Sequence, residues 1–250
     1  GRINLPAGVN YTFNGATITP FPIPTLNFGS PATVIINNTV TSNMTSNLTV
    51  TTGFVVNNGG TFKLNTTNNN NLYLNNNAAL TINAGGTFDN GGENQITNSV
   101  GTPTITITGT FITRDVQGFV GSTTSIPSIT PTLNPGCTVE YGLSGDQAVQ
   151  GSTAPTYQNV TFSGSGTKTL ASTNAVVGTI TVSGSSVFDA SNSTFGGTGT
   201  NVTMTGTSRF KMAGTSTKPD ASGTYSLATG TTIEFANTVA TQQDIRLAPT

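Results

Sequence analysis

Few residues of this chain could do chemistry, and they are scattered along it. Among the nine acidic side chains, only Asp89 with Glu93 and Glu140 with Asp146 lie close in sequence. Enzymes that cleave polysaccharides need two carboxylates, or a carboxylate and a base, on one face of the fold. We interpret both pairs as solvated turns, with a catalytic dyad as the alternative.

Other kinds of catalytic and metal site lack their residues. The chain has no histidine, which excludes a Ser-His-Asp triad, a Cys-His pair and a histidine-liganded zinc. Calcium-binding β-rolls need an aspartate after their glycines, and neither Gly91–Glu93 nor Gly196–Gly199 provides it. No Gly-x-x-x-x-Gly-Lys-Ser/Thr phosphate loop occurs. We therefore predict that the protein is not an enzyme and has no catalytic residue, cofactor or metal site.

An internal repeat organises the chain. Residues 133–141 read LNPGCTVEY and residues 227–235 read LATGTTIEF, which is an offset of 94 residues. The same offset joins the Ala-Pro-Thr strings at 154–156 and 248–250, so we expect this sequence to be part of a longer array. We predict one continuous solenoid with three parts: N-terminal coils with a Pro-rich loop, a first repeat unit and a second repeat unit, at 1–54, 55–152 and 153–250.

The repeat gives a context to three polar residues. Cys137 is the single cysteine and Thr231 replaces it in the second copy, so we interpret it as a small filler of the core or a turn, with a reactive thiol as the alternative. Glu140 and Glu234 occur in both copies between apolar residues, so alternation directs them to solvent. Charge there would limit sheet-to-sheet association, and a binding role is the alternative.

A shorter motif inside the repeat predicts the fold. Two alternating apolar positions and a small polar turn are followed by an aromatic residue, and this motif recurs several times along the chain. Its interval of about 22–26 residues is typical of one coil of a right-handed parallel β-helix (β-solenoid) with three short strands per coil. The aromatic residues would then stack inside the coil. We predict a structural core ladder of Phe62, Phe88, Phe111, Tyr141, Phe188, Phe210 and Phe235.

The remaining sequence agrees with an all-β fold. Strings such as Thr104–Thr108 and Thr179–Val182 alternate polar and apolar residues as half-buried strands do, and no segment has a helical period. We expect the Asn-rich segments Asn68–Asn71 and Asn75–Asn77 to form stacked corners whose amides bond along the axis, with disorder as the alternative. Two loops are predicted, at the Pro-rich segment 20–24 and at 117–131.

Charge excludes two classes of partner. Eight basic and nine acidic side chains nearly cancel, so the chain carries no basic footprint for nucleic acid or anionic lipid. No apolar run is long enough to span a bilayer. We therefore predict no nucleic-acid partner and no membrane insertion of this segment.

Three segments carry a resemblance to a known class of protein. Residues 139–141, 157–170 and 178–184 resemble the repeats of very large cell-surface adhesins of Bacteroidetes-type bacteria, including proteins similar to gliding-motility adhesins and other cargo of type IX secretion. The resemblance is clearest over residues 133–235. It implies an extracellular fibre at the cell surface, without catalytic residues and with a secretion signal at the far C-terminus.

These observations lead to one functional expectation and two alternatives. We expect a structural segment of an extracellular fibre that acts as a stalk or filament in attachment or gliding motility. Its partners would be further repeat units or stacked copies of itself, and surface polysaccharide is a further candidate. The alternatives are a carbohydrate-binding or carbohydrate-active β-helix and, because Thr104, Thr106 and Thr108 would share one face, an ice-binding solenoid.

Overall fold

A computed structural model describes residues 3–14, 26–28, 30–41, 47–64, 70–152, 154–213 and 221–236. These residues form short strands and no helix. All strand pairs that have been assigned a register are parallel, and the strands stack as a β-solenoid with about 23 residues per turn. The predicted fold class is therefore confirmed. No helix in the described part of the chain is long and apolar enough to cross a membrane.

The chain divides into two compact units. The first unit comprises Gly1–Asp115 with Val120–Cys137, and the second comprises Val116–Phe119 with Thr138–Thr250. The predicted division at 54/55 and 152/153 stays a prediction. The Pro-rich segment 20–24, residues 68 and 69 of the Asn tract and the string at 248–250 lie outside the described residues.

The first unit contains fifteen of the described strands. They are β1 (Ile3–Leu5), β2 (Asn10–Phe13), β3 (Leu26–Phe28), β4 (Thr33–Ile36), β5 (Thr39–Thr41), β6 (Leu48–Val50), β7 (Gly53–Val56), β8 (Thr61–Lys63), β9 (Leu72–Leu74), β10 (Ala79–Ile82), β11 (Thr87–Asp89), β12 (Ile96–Thr97), β13 (Thr104–Ile107), β14 (Thr110–Thr113) and β15 (Thr132–Leu133). Three faces result, in the orders β2-β4-β7-β10-β13-β15, β5-β8-β11-β14 and β6-β9-β12, and β1 pairs with β3.

The second unit contains the other ten. They are β16 (Thr138–Tyr141), β17 (Gln147–Val149), β18 (Asn159–Phe162), β19 (Thr167–Leu170), β20 (Thr179–Val182), β21 (Val187–Asp189), β22 (Asn201–Met204), β23 (Arg209–Met212), β24 (Tyr225–Leu227) and β25 (Thr232–Phe235). Two faces have the orders β16-β18-β20-β22-β24 and β17-β19-β21-β23-β25. Isolated bridges, Tyr157 to Val176 and Asn174 to Phe195, hold the third side of its turns.

The register shows that the turns differ in length. In the first unit Gly53 pairs with Ala79, whereas in the second unit Val160 pairs with Ile180, which is a shorter step along the chain. The second unit therefore has some turns shorter than the interval that the sequence predicted. The physical reason is its third side, where single bridges replace three-residue strands.

Alternation sets the inside and outside of the turns in both units. Strands β10, β16, β18, β20 and β22 all have side chains that are in turn half-buried and buried. Between the paired strands the chain turns sharply at small residues. A Cβ on Gly86 would lie 2.6 Å from the Val56 carbonyl oxygen of the adjacent turn, so this corner requires glycine.

The segment predicted as an inserted loop, 117–131, contains none of the strands β1 to β25, but its apolar residues are packed. Phe119 and Ile126 are fully buried, and Val120 bridges to Ile126. The Ile96 amide donates to the Ser125 carbonyl at 2.7 Å. Within the first unit, residues around Ser125 therefore continue the stack that β12 ends.

Candidate functional site

The predicted aromatic ladder is present in the first unit. Phe62, Phe88 and Phe111 occupy the same register position on β8, β11 and β14, and all three are buried. Their ring centroids lie 5.5 and 5.6 Å apart, and the second pair is stacked with nearly parallel planes. Such stacking adds to the burial of each ring and favours this register of successive turns.

In the second unit the predicted ladder residues divide between two faces. Phe188 and Phe210 are in register on β21 and β23, with centroids 5.0 Å apart. Tyr141 lies on the other face, in register with Phe162. Phe235 differs from the prediction, because it is 38% exposed on β25, the last strand of its sheet within the described residues.

A buried lysine interrupts the aromatic ladder of β19, β21 and β23. Lys168 is in register with Phe188, and its side chain is fully buried. Its ammonium donates to the carbonyl oxygens of Leu143 and Gly145 at 2.6 and 2.8 Å. The carbonyls solvate the charge, so the lysine fastens the loop between β16 and β17 to the turn that carries β19.

Two buried tyrosines form a second polar cluster. The hydroxyl oxygens of Tyr141 and Tyr157 lie 2.6 Å apart, and Tyr157 donates to the Gln150 carbonyl at 3.1 Å. The Gln150 side chain accepts from the Phe119 amide and donates to the Gln117 carbonyl. Burial raises the pKa of both tyrosines far above the ordinary value. The cluster therefore holds neutral hydroxyls in the core and fastens the segment 116–119.

Sequence reasoning missed Lys168, Gln150 and Tyr157. For the lysine a signal was present, since it lies two residues before the buried Leu170 and therefore on the same side of β19. The sequence analysis did not expect the Lys168 side chain to point inward, because lysine is almost never fully buried without partners. The partners here are backbone carbonyls, which no sequence pattern displays.

Asparagine side chains link successive turns of the first unit. Asn83 donates through Nδ2 to Asn57, which donates to Asn37 in the same way, and both N···O distances are 2.7 Å. Asn37 in turn donates to Asn14. Asn134 continues this side of the unit by donating to the Thr108 hydroxyl at 3.0 Å. We call these residues the Asn ladder.

A second use of asparagine is as an acceptor for backbone amides of the next turn. Asn71 Oδ1 accepts from Gln95, Asn77 Oδ1 accepts from Thr102, and Asn159 Oδ1 accepts from Thr179, at 2.7 to 3.0 Å. The predicted bonding of corner amides along the axis is therefore seen at Asn71, Asn75 and Asn77. The amide-to-amide ladder itself formed elsewhere, at positions that the sequence analysis did not select.

The first acidic pair has a structural role at one member. Asp89 is only 4% exposed; its carboxylate accepts from the Gly91 amide at 2.8 Å and pairs with Arg114 at 2.9 Å. Lys63 lies 3.9 Å away on the other side. Glu93 is exposed. The Asp89 carboxylate is thus buried and bound to Arg114 and to the turn at Gly91, whereas the sequence predicted a solvated turn.

The second acidic pair behaves differently. Glu140 accepts from the Ser163 hydroxyl at 2.6 Å, and Asp146 accepts from the Thr167 amide at 2.7 Å. Both are outside the core, as alternation predicted for Glu140. Within the described part of the chain no three acidic, cysteine or histidine side chains are grouped as a metal site would require.

Glu234, one of the two repeated glutamates, and Asp189 form ion pairs on the outside of the second unit. Glu234 pairs with Arg209 at 2.8 Å, and Asp189 pairs with Lys211 at 2.9 Å. Hydrogen bonding to Asp189 raises the pKa of Lys211. Each pair joins adjacent turns on the outside of the second unit.

Cys137 lies at a corner and is fully buried. Its amide donates to the Asn134 carbonyl, and Thr231 makes the same bond to Ala228 in the other copy of the repeat. Burial raises the pKa of the thiol to about 11, so the thiolate that reactive cysteines need is scarce at neutral pH. This geometry favours the filler interpretation.

Threonine forms a column on the outside of the second unit. Thr161, Thr181, Thr203 and Ser226 occupy one register position on β18, β20, β22 and β24. The first residues of β18, β20 and β22 form the neighbouring column. They are Asn159, Thr179 and Asn201, and the side chains of both asparagines accept hydrogen bonds from backbone amides. This face therefore carries one column of hydroxyl side chains beside a column that contains both asparagine and threonine.

No protein-family model matches the chain, and no curated protein or solved structure shows significant similarity to it.

Proposed function

We propose that this chain is a structural segment of an extracellular surface fibre that acts as a stalk or filament in attachment or gliding motility. The observation that carries the proposal is the direction of its polar bonding. Backbone ladders, the Asn ladder and the ion pairs all join one turn to the next. A fibre segment needs this kind of bonding, because bending and stretching both separate adjacent turns.

The outer surface supports the same proposal. Its charged residues are few, since only 7% of the chain is charged, and a column of hydroxyl side chains lies on the outside of the second unit. Hydroxyl and amide groups hydrate such a surface without a strong field, while scattered charges discourage edge-to-edge aggregation. Further repeat units of the same fibre are the proposed partners, and the cell surface is the proposed location.

Immunogold electron microscopy of the source cells tests the proposal. An antibody raised against the 250-residue chain should decorate thin filaments outside intact cells. Cells in which the coding sequence is deleted provide the matched control and should lose both the label and attachment to a surface. Label confined to the cell interior, or surface label without any filament, would refute the fibre role.

A further inference from the structure

We propose that a groove in the first unit binds a neutral saccharide chain. The groove lies between the segment 98–104 and the segment 128–132, and we call it the 98–132 groove. Its volume is about 360 Å³, which is at the lower end for small-molecule sites in proteins. The proposal concerns ligand binding and stands independently of the fibre role.

The groove exists because two adjacent turns separate there. At one end of the groove side chains join the two turns: Ser128 donates to Asn98 Oδ1 at 3.2 Å, and its hydroxyl lies 3.3 Å from that of Thr97. At the other end Thr106 pairs with Thr132 in the ladder of β13 and β15. No strand pairing described in the structure joins 98–103 to 128–131, so the two walls part between these fixed points.

The groove has an apolar floor and a polar rim. The half-buried Pro103 and Ile129, which is 8% exposed, give the floor its apolar surface, while Thr104 and Thr130 are exposed on the walls. Among the described residues neither threonine hydroxyl has a hydrogen-bond partner, so both are available to a ligand. A sugar ring has the complementary surface, since it presents C–H groups on its faces and hydroxyls around its edge.

Charge decides which saccharide fits. None of the residues that line the groove is charged. An anionic polymer such as a uronan would therefore find no cation to compensate its desolvated carboxylates, whereas a neutral glycan needs only hydrogen bonds. Because the groove is open and has no aromatic platform, we expect weak binding per site, with a Kd of about 1 mM.

The experiment is a titration of the isotopically labelled 250-residue chain, followed by backbone NMR. The probes are maltohexaose, cellohexaose and laminarihexaose, with a polygalacturonate oligomer as the charged comparison. We expect at least one neutral probe to give saturable shifts confined to the amides of 98–105 and 128–132. Shifts elsewhere only, saturable binding of the charged oligomer alone, or no saturable shift with any neutral probe would overturn the proposal.

Matched variants separate the groove from the general hydroxyl surface. Thr130→Val keeps the shape of the side chain and removes the rim hydroxyl, and with Thr104→Val it should weaken binding about tenfold or more. Thr181→Val removes an equivalent hydroxyl from the column on the second unit and should leave the Kd unchanged. Equal weakening by both substitutions would assign the binding to hydroxyl content in general and would contradict a specific site.

Discussion

Replacing Lys168 by methionine should destabilise the second unit strongly, because the ammonium satisfies two carbonyls in a buried position. The Nζ atom lies 2.6 and 2.8 Å from the oxygens of Leu143 and Gly145. Hydrogen bonds to a charged group contribute about 1.5–3 kcal/mol each, so the pair contributes about 3–6 kcal/mol. Methionine regains part of this by removing a buried charge and by adding apolar burial. We expect a net loss of about 3 kcal/mol in the free energy of unfolding.

The assay is equilibrium urea unfolding followed by tyrosine fluorescence, since the chain has five tyrosines and no tryptophan. With an m-value of about 3 kcal/mol/M, Lys168→Met should lower the midpoint by about 1 M. Lys211→Met is the matched control on the same sheet, because that ammonium is a partly exposed ion-pair partner of Asp189 and should contribute at most about 1 kcal/mol. The reasoning is wrong if the two substitutions shift the midpoint equally.

Three further outcomes are expected. Asn57→Asp should cost about 1 kcal/mol of stability and Asn57→Ala about 2 kcal/mol, because aspartate loses only the donated bond of the Asn ladder; urea unfolding at pH 7 measures both, and equal costs would contradict the assignment. Phe88→Ala should cost about 3–5 kcal/mol by leaving a core cavity, whereas the half-exposed Phe235→Ala should cost far less, and thermal unfolding by circular dichroism compares them. Stability should fall as pH rises above about 9–10, because the unfolded chain then releases protons that Tyr157 and Cys137, with their raised pKa values, retain in the fold. Free energies of unfolding measured from about pH 8 to 11 test this, and Tyr157→Phe should flatten their dependence on pH. An unchanged pH dependence in that variant would refute the buried-hydroxyl explanation.

The sequence predicts the solenoid because its strongest signal is local. The strings that end at Phe62, Phe88 and Phe111 contain the strand, the corner and the core residue of one turn, so their interval reports the turn length. The same signal identifies Phe188 and Phe210, although not the face on which they stack. The face depends on where a strand lies around a complete turn, and each of these strings covers only part of a turn.

The polar interior was less predictable for a physical reason. Lys168 and Tyr157 are buried only because carbonyls and hydroxyls from distant segments meet them. Such partners are brought together by the stacking of turns, and sequence separation hides them. The Asn ladder is a different case. The sequence predicted that asparagine amides bond along the axis, but which asparagines do so, including Asn57 and Asn83, depends on which corners stack.

The short reach of the Asn ladder has a consequence for how such a chain can evolve. Asn57 bonds through its side chain to Asn37 in one adjacent turn and to Asn83 in the other, and the backbone ladders likewise join each strand only to its neighbours in adjacent turns. Stability in such an array is a sum of nearest-neighbour terms. A duplicated or deleted turn therefore meets a surface that already matches it, and unequal recombination within the gene can lengthen or shorten the protein without redesigning a core.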